Sequence, residues 1–142
     1  MNILIVEDDD YKYKNIVRDL KVVDEKLTIF RLNNCMDALA YFRTLKNSDK
    51  KFDLLITDNY MPLRSDTFDL SPCASYIINT FRNKVSKEIP VCICSSDEFN
   101  DVCDYNYFVL YKPTKSLQDD FAKIISDINY KESKKVLKMP KK

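Results

Sequence analysis

Residues 52–62, FDLLITDNYMP, decide how the rest of the chain is read. Leu54-Leu55-Ile56-Thr57 is a short, unbroken apolar run, the pattern of a strand covered on both faces in the middle of a parallel sheet. It ends on a carboxylate, Asp58. In open α/β sheets, loops and helix N-termini converge on the carboxyl edge of the strands, and ligands bind there. Three other apolar runs end in complementary groups. Glu7 and Asp8 follow Ile3-Leu4-Ile5-Val6, Ser95 follows Val91-Cys92-Ile93-Cys94, and Lys112 follows Phe108-Val109-Leu110-Tyr111.

Between these strands the apolar period lengthens to that of helices. Ile16, Val17, Leu20 and Val23 form one stripe over 11–23, the inner face of a helix lying on a sheet. Leu27 to Leu32 alternates, as a strand nearer an edge does. Asn34, with Asp37 three residues on, is placed to cap a helix whose inner face is Ala38, Leu39, Phe42 and Leu45. A polar connection is expected over 46–51. After Asp58 a long polar loop is expected to about Leu70. Ser71-Pro72 then reads as an N-cap with proline in the first turn, opening a helix on Ala74, Ile77, Ile78, Phe81 and Val85. Pro90 is tolerated at the start of the next strand. Residues 96–103 leave room for only a short helix. Ser116 and Asp119 are placed to cap a last helix with Leu117, Phe121, Ile124, Ile125 and Ile128 inward.

Five βα units in strict alternation give an α/β fold, a three-layer sandwich around a five-stranded parallel sheet, through right-handed crossovers. One domain is expected over 1–130, followed by a basic tail over 131–142, KESKKVLKMPKK after Tyr130.

Composition narrows the chemistry. The chain has 142 residues, 45% of them hydrophobic, with 23 Lys plus Arg against 22 Asp plus Glu. That suits one domain with a true core, and no bulk charge directs it to nucleic acid or membrane. No run reaches the roughly 20 apolar residues of a membrane span, and Met1 leads straight into a strand, so a cytoplasmic location without a membrane partner is expected. Histidine is absent, which removes the usual general base and the commonest zinc ligand. Glycine is absent too, which excludes Gly-rich phosphate loops and leaves any positive-φ turns to Asn and Asp. The five cysteines have no metal-ligand spacing; Cys92 and Cys94 share a strand face and read as small core residues.

Glu7, Asp8, Asp58, Ser95 and Lys112 together put three carboxylates, a hydroxyl and an ammonium on one rim. Carboxylates so close repel unless a cation intervenes, and Mg²⁺ suits all-oxygen ligands with room left for a phosphate oxygen. An ionised carboxylate can attack a phosphoryl group without a general base. One divalent ion, one ammonium and one hydroxyl are a sufficient kit for positioning and charge stabilisation.

In this order and at these strand ends, ILIVEDD, LLITDNYMP, PVCICSS and VLYKP resemble the response-regulator receiver domains of two-component phosphorelays, over residues 1 to about 130. The resemblance implies a flavodoxin-like fold with strand order 2-1-3-4-5. It implies Asp58 as phosphoacceptor, Mg²⁺ held by Asp8 and Asp58 with Glu7 through water, and the Tyr60 backbone carbonyl as a further metal ligand. It implies Ser95 and Lys112 on the phosphoryl oxygens, with a cis peptide before Pro113. The expected function is a stand-alone response regulator with no DNA-binding domain attached. It would take its phosphoryl group from a histidine kinase or phosphotransfer protein, signal to an unknown output partner, and not act as a turnover enzyme. The chain departs from the family at Val109, where an aromatic switch residue is usual, in the lengthened loop after Pro62, and in the shortened fourth helix. Val109 and the short fourth helix support the alternative of a phosphorylation-silent scaffold, against which stand the intact Glu7, Asp8, Asp58, Ser95 and Lys112. A hydrolase of the haloacid dehalogenase type fits less well, since its nucleophile follows the first strand with a second Asp two residues on.

Overall fold

In the computed structural model, residues 1–45 and 50–137 are described. Four of the sheet's five strands are mostly apolar, with polar residues only at their ends: β1 (Asn2–Val6), β3 (Leu54–Thr57), β6 (Val91–Ser95) and β7 (Tyr107–Leu110), with the more polar β2 (Thr28–Leu32) at an edge. All pairings are parallel and the order is β2-β1-β3-β6-β7, which is 2-1-3-4-5 when only these strands are numbered. The flavodoxin-like arrangement expected from sequence is therefore the observed one.

Side chains alternate along a strand, so each central strand feeds two cores. Ile3, Ile5, Leu54, Ile56, Cys92 and Cys94 face α1 (Asp10–Val23) and α4 (Gln118–Leu137). Leu4, Val6, Leu55, Val91 and Ile93 face α2 (Cys35–Leu45) and α3 (Ala74–Lys84), where Phe42 and Phe81 meet edge to face at 5.2 Å. Helices on both faces explain the unbroken apolar strands. All five cysteines are free thiols, and Cys92 and Cys94 do lie in one core. α4 continues past Tyr130 to Leu137. The connection expected over 46–51 falls mostly outside the described residues.

Four expectations are corrected. The segment after Asp58 is an antiparallel hairpin, β4 (Tyr60–Pro62) with β5 (Leu70–Pro72), and not a plain loop. Ser71-Pro72 belongs to β5, so it does not cap α3; the cap is supplied from a distance, Asn59 accepting Cys73 N at 2.7 Å through its carbonyl and Ala74 N at 3.1 Å through Oδ1. No helix forms over 96–103. Buried Arg82 braces the segments flanking β6 instead, donating to the carbonyls of Asp104, Ser86 and Ile89 and to Asn106 Oδ1. Among the described residues there is no cis peptide and no positive φ. The Lys112–Pro113 bond thus takes the trans form that is lower in energy for X–Pro. The residues joining β4 to β5 are too many for the tight hairpin turn that demands left-handed conformations.

Candidate functional site

β1 ends in four acids, Glu7 to Asp10, and each has a different job. Glu7 is 1% exposed and turns under the start of α1, where its Oε2 accepts Asp9 N at 3.2 Å. Asp9 is the N-cap of α1, accepting Lys12 N at 3.0 Å, which satisfies one of the helix's unpaired donors. Asp10 pairs with Arg31 at 2.8 Å, and Arg31 also donates to the carbonyls of Glu7 and Asp8. This leaves the half-buried Asp8 carboxylate facing a pocket.

That pocket, of about 310 Å³, opens at the carboxyl edge of the sheet and is lined in part by Asp8, Lys12, Asp58, Tyr60, Ser95 and Tyr111. Ligand oxygens of Glu7, Asp8 and Asp58 all lie within 4.8 Å of one another. Asp58 Oδ1 is fixed by Asn59 N at 2.7 Å. Buried Ser95 accepts Asp97 N at 3.3 Å through Oγ, so its hydroxyl proton is left to donate into the pocket. Tyr60 is 42% exposed and lines the mouth. Its strand partner is Pro72, which has no N–H to offer the Tyr60 carbonyl.

The ammonium that reaches Asp58 is Lys12. Its Nζ lies 3.0 Å from Asp58 Oδ2, 2.7 Å from Glu7 Oε1 and 2.7 Å from the Cys94 carbonyl. The Glu7 contact is close enough for an ion pair but not aligned as a hydrogen bond, and Glu7 Oε1 has no other partner. Burial opposes the charge on Lys12, yet the carboxylates of Glu7 and Asp58 raise its pKa above the ordinary value. Burial pushes Glu7 up to about 7; Lys12 opposes that shift and Asp58 adds to it. Burial also raises Asp8.

Lys112 follows β7 by two residues, between the pocket-lining Tyr111 and Pro113. It is exposed, and its side chain makes no ion pair or hydrogen bond among the described residues. Val109 is packed in the core, while Tyr111 is buried over the pocket with its hydroxyl accepting Asn15 Nδ2 at 2.8 Å. The strand ends thus bring together Glu7, Asp8, Asp58 and Ser95, with Tyr60 at the mouth and Lys112 outside the lining. Lys12 is the functional residue passed over in the sequence. Its signal was phase: stepping the stripe of Ile16 and Leu20 back by four residues lands on Lys12.

The donor set fits a hard divalent cation: all three side chains are carboxylates, and the charge that Glu7 Oε1 faces is the Lys12 ammonium.

No protein-family profile and no curated protein matches the chain by sequence. By structure it is similar to the N-terminal domain of a response regulator/sensory box/GGDEF three-domain protein from Carboxydothermus hydrogenoformans. That likeness has 16% identity and a TM-score of 0.67, covering 94% of this chain and 98% of the other. The receiver domain of the hybrid histidine kinase CckA is 21% identical at a TM-score of 0.60, over 90% of this chain and 98% of that one. The response regulator TrrA from Thermotoga maritima, solved in complex with Mg²⁺ and BeF, is 17% identical at 0.63, over 89% and 97%. No described helix is long and apolar enough to cross a membrane. From β1 to α4, the chain has the fold of the response-regulator receiver domains.

Proposed function

We propose that this protein is a phosphoacceptor switch: Asp58 takes a phosphoryl group from a phosphohistidine on a histidine kinase or phosphotransfer protein, with Mg²⁺ as cofactor. The observation that carries this reading is the meeting of Asp8, Asp58 and Ser95 around one open pocket at the carboxyl edge of the sheet. An Asp58 Oδ attacks phosphorus, the donor's P–N bond breaks, and the imidazole leaves with a proton from solvent; an acyl phosphate remains on Asp58. The nucleophile needs no base, in keeping with a chain that lacks histidine. Asp8, Asp58 and the Tyr60 carbonyl would hold Mg²⁺, with Glu7 behind them. When bound, Mg²⁺ neutralises charge shared between the carboxylates and a phosphoryl oxygen. Ser95 Oγ donates to a second phosphoryl oxygen. Lys112, exposed and without a side-chain partner among the described residues, would turn to a third.

Phosphorylation replaces the single negative charge of the Asp58 carboxylate by close to two and adds three strong acceptor oxygens at this rim, enough to draw in Ser95 and Lys112 and alter the surface offered to an output partner. The hairpin β4–β5, next to the pocket and bearing the exposed Phe68 and Leu70, is suited to carry that change. One observation favours the second reading, a phosphorylation-silent scaffold: the Lys12 ammonium already rests on Asp58. Beryllofluoride with Mg²⁺ separates the two. Amide NMR shifts at Asp58, Ser95 and Lys112 that vanish in Asp58→Ala are expected for the switch, and an unchanged wild-type spectrum would leave the scaffold.

A further inference from the structure

Lys12 is 5% exposed and sits in an all-oxygen nest of two carboxylates and a carbonyl, with the Tyr111 ring 5.4 Å away. Those two carboxylates, Glu7 and Asp58, are also members of the acidic cluster with Asp8. The lysine is not a surface group that happened to fold inward. Asp9 caps the helix through Lys12 N, Glu7 receives Asp9 N, and β6 presents the Cys94 carbonyl, so three elements fix the ammonium where it is.

We propose that Lys12 is a built-in counter-ion of the acidic pocket, and that a divalent cation binds there only by displacing the Lys12 ammonium. The proposal rests on the reading of the cluster as a divalent site. With no cation, three clustered carboxylates repel one another; the Lys12 ammonium already takes up Glu7 Oε1 at 2.7 Å and Asp58 Oδ2 at 3.0 Å, oxygens of the same cluster in which a divalent cation would be held. The pocket therefore holds one or the other. Its acids are charge-compensated before any metal arrives, divalent affinity is lowered by competition, and metal binding frees the side chain at the first turn of α1. The exchange ties the ion to the position of that helix end.

The test is Mn²⁺ binding, followed by the loss of the free-ion EPR signal, in the wild type, Lys12→Met, Lys12→Arg and Lys14→Met. Lys12→Met should bind Mn²⁺ roughly tenfold more tightly or better, as expected when a competing contact worth one decade is removed. Lys12→Arg should stay weak, and Lys14→Met, an exposed lysine on the same helix, should match the wild type. Lys12→Met binding no tighter than wild type would overturn the proposal. Should that variant not fold, the wild type suffices: reductive methylation mapped by mass spectrometry should spare Lys12 in chelator and modify it in saturating Mg²⁺. Equal protection in both would overturn the displacement. Neither outcome depends on phosphorylation. A tighter Lys12→Met that cannot be labelled at Asp58 would keep this inference and remove the phosphoacceptor reading.

Discussion

The connections after β1 and after β7 each carry a lysine beside the pocket, and they treat it in opposite ways. After β1 the helix begins within four residues, capped by Asp9, and its first turn presses Lys12 onto Glu7, Asp58 and the Cys94 carbonyl. After β7 the chain passes through Tyr111 and Pro113 before α4, leaving Lys112 exposed. The first lysine is a fixed charge that belongs to the folded state, and the second is an arm whose charge is free for a reaction. A fixed ammonium stabilises the resting acids; a free one can respond to a new phosphoryl oxygen.

The widest gap expected between the two is in stability. Lys12→Met leaves Glu7 and Asp58 without their buried partner and should cost about 3–5 kcal/mol, whereas Lys112→Met should stay within about 0.5 kcal/mol. Urea unfolding at neutral pH in chelator measures both. Comparable losses would erase the distinction.

Next comes the pH dependence of the same nest. Folding raises the Glu7 pKa from 4.5 to about 7, chiefly by burial. The folded state therefore holds this proton more tightly than the unfolded chain. The resulting stabilisation is full below about 4.5 and is lost as pH climbs through about 7. Over that window the loss is up to about 3 kcal/mol. Glu7→Gln should flatten this part of the stability curve. An unaltered slope would mean that Glu7 does not titrate there.

The smallest effect concerns the cap that aims Lys12. Asp9→Ala should cost about 1 kcal/mol and, by loosening the first turn of α1, make Lys12 more reactive toward methylation. A stability loss of that size with Lys12 still fully protected would show that the nest, and not the cap, sets its position.

The sheet was legible in the sequence because strands buried on both faces are built from unbroken apolar runs, and Ile3–Val6, Leu54–Ile56 and Val91–Cys94 are such runs. Strand-end chemistry followed, since Glu7, Asp8, Asp58 and Ser95 each stand just past or at the end of such a run. What could not be read depends on contacts distant in the chain. The α3 cap comes from Asn59, across the hairpin, so Ser71-Pro72 looked like the cap although it is a strand. The β6–β7 connection is held without a helix at its β7 end, where Arg82 reaches across from α3 to the Asp104 carbonyl and Asn106 Oδ1. Lys12 was not singled out because a lysine is rarely buried without a partner, and its partners Asp58 and the Cys94 carbonyl lie far along the chain.

This nest of acids serves, on the proposed reading, to carry a phosphoryl group on Asp58 as an acyl phosphate. Incubation with acetyl phosphate and Mg²⁺, read by intact mass and peptide mapping, tests it most directly. The account predicts one added phosphoryl group on the wild type, mapped to Asp58 and absent from Asp58→Ala. A wild type that gains no mass, or an adduct that persists in Asp58→Ala, would contradict it.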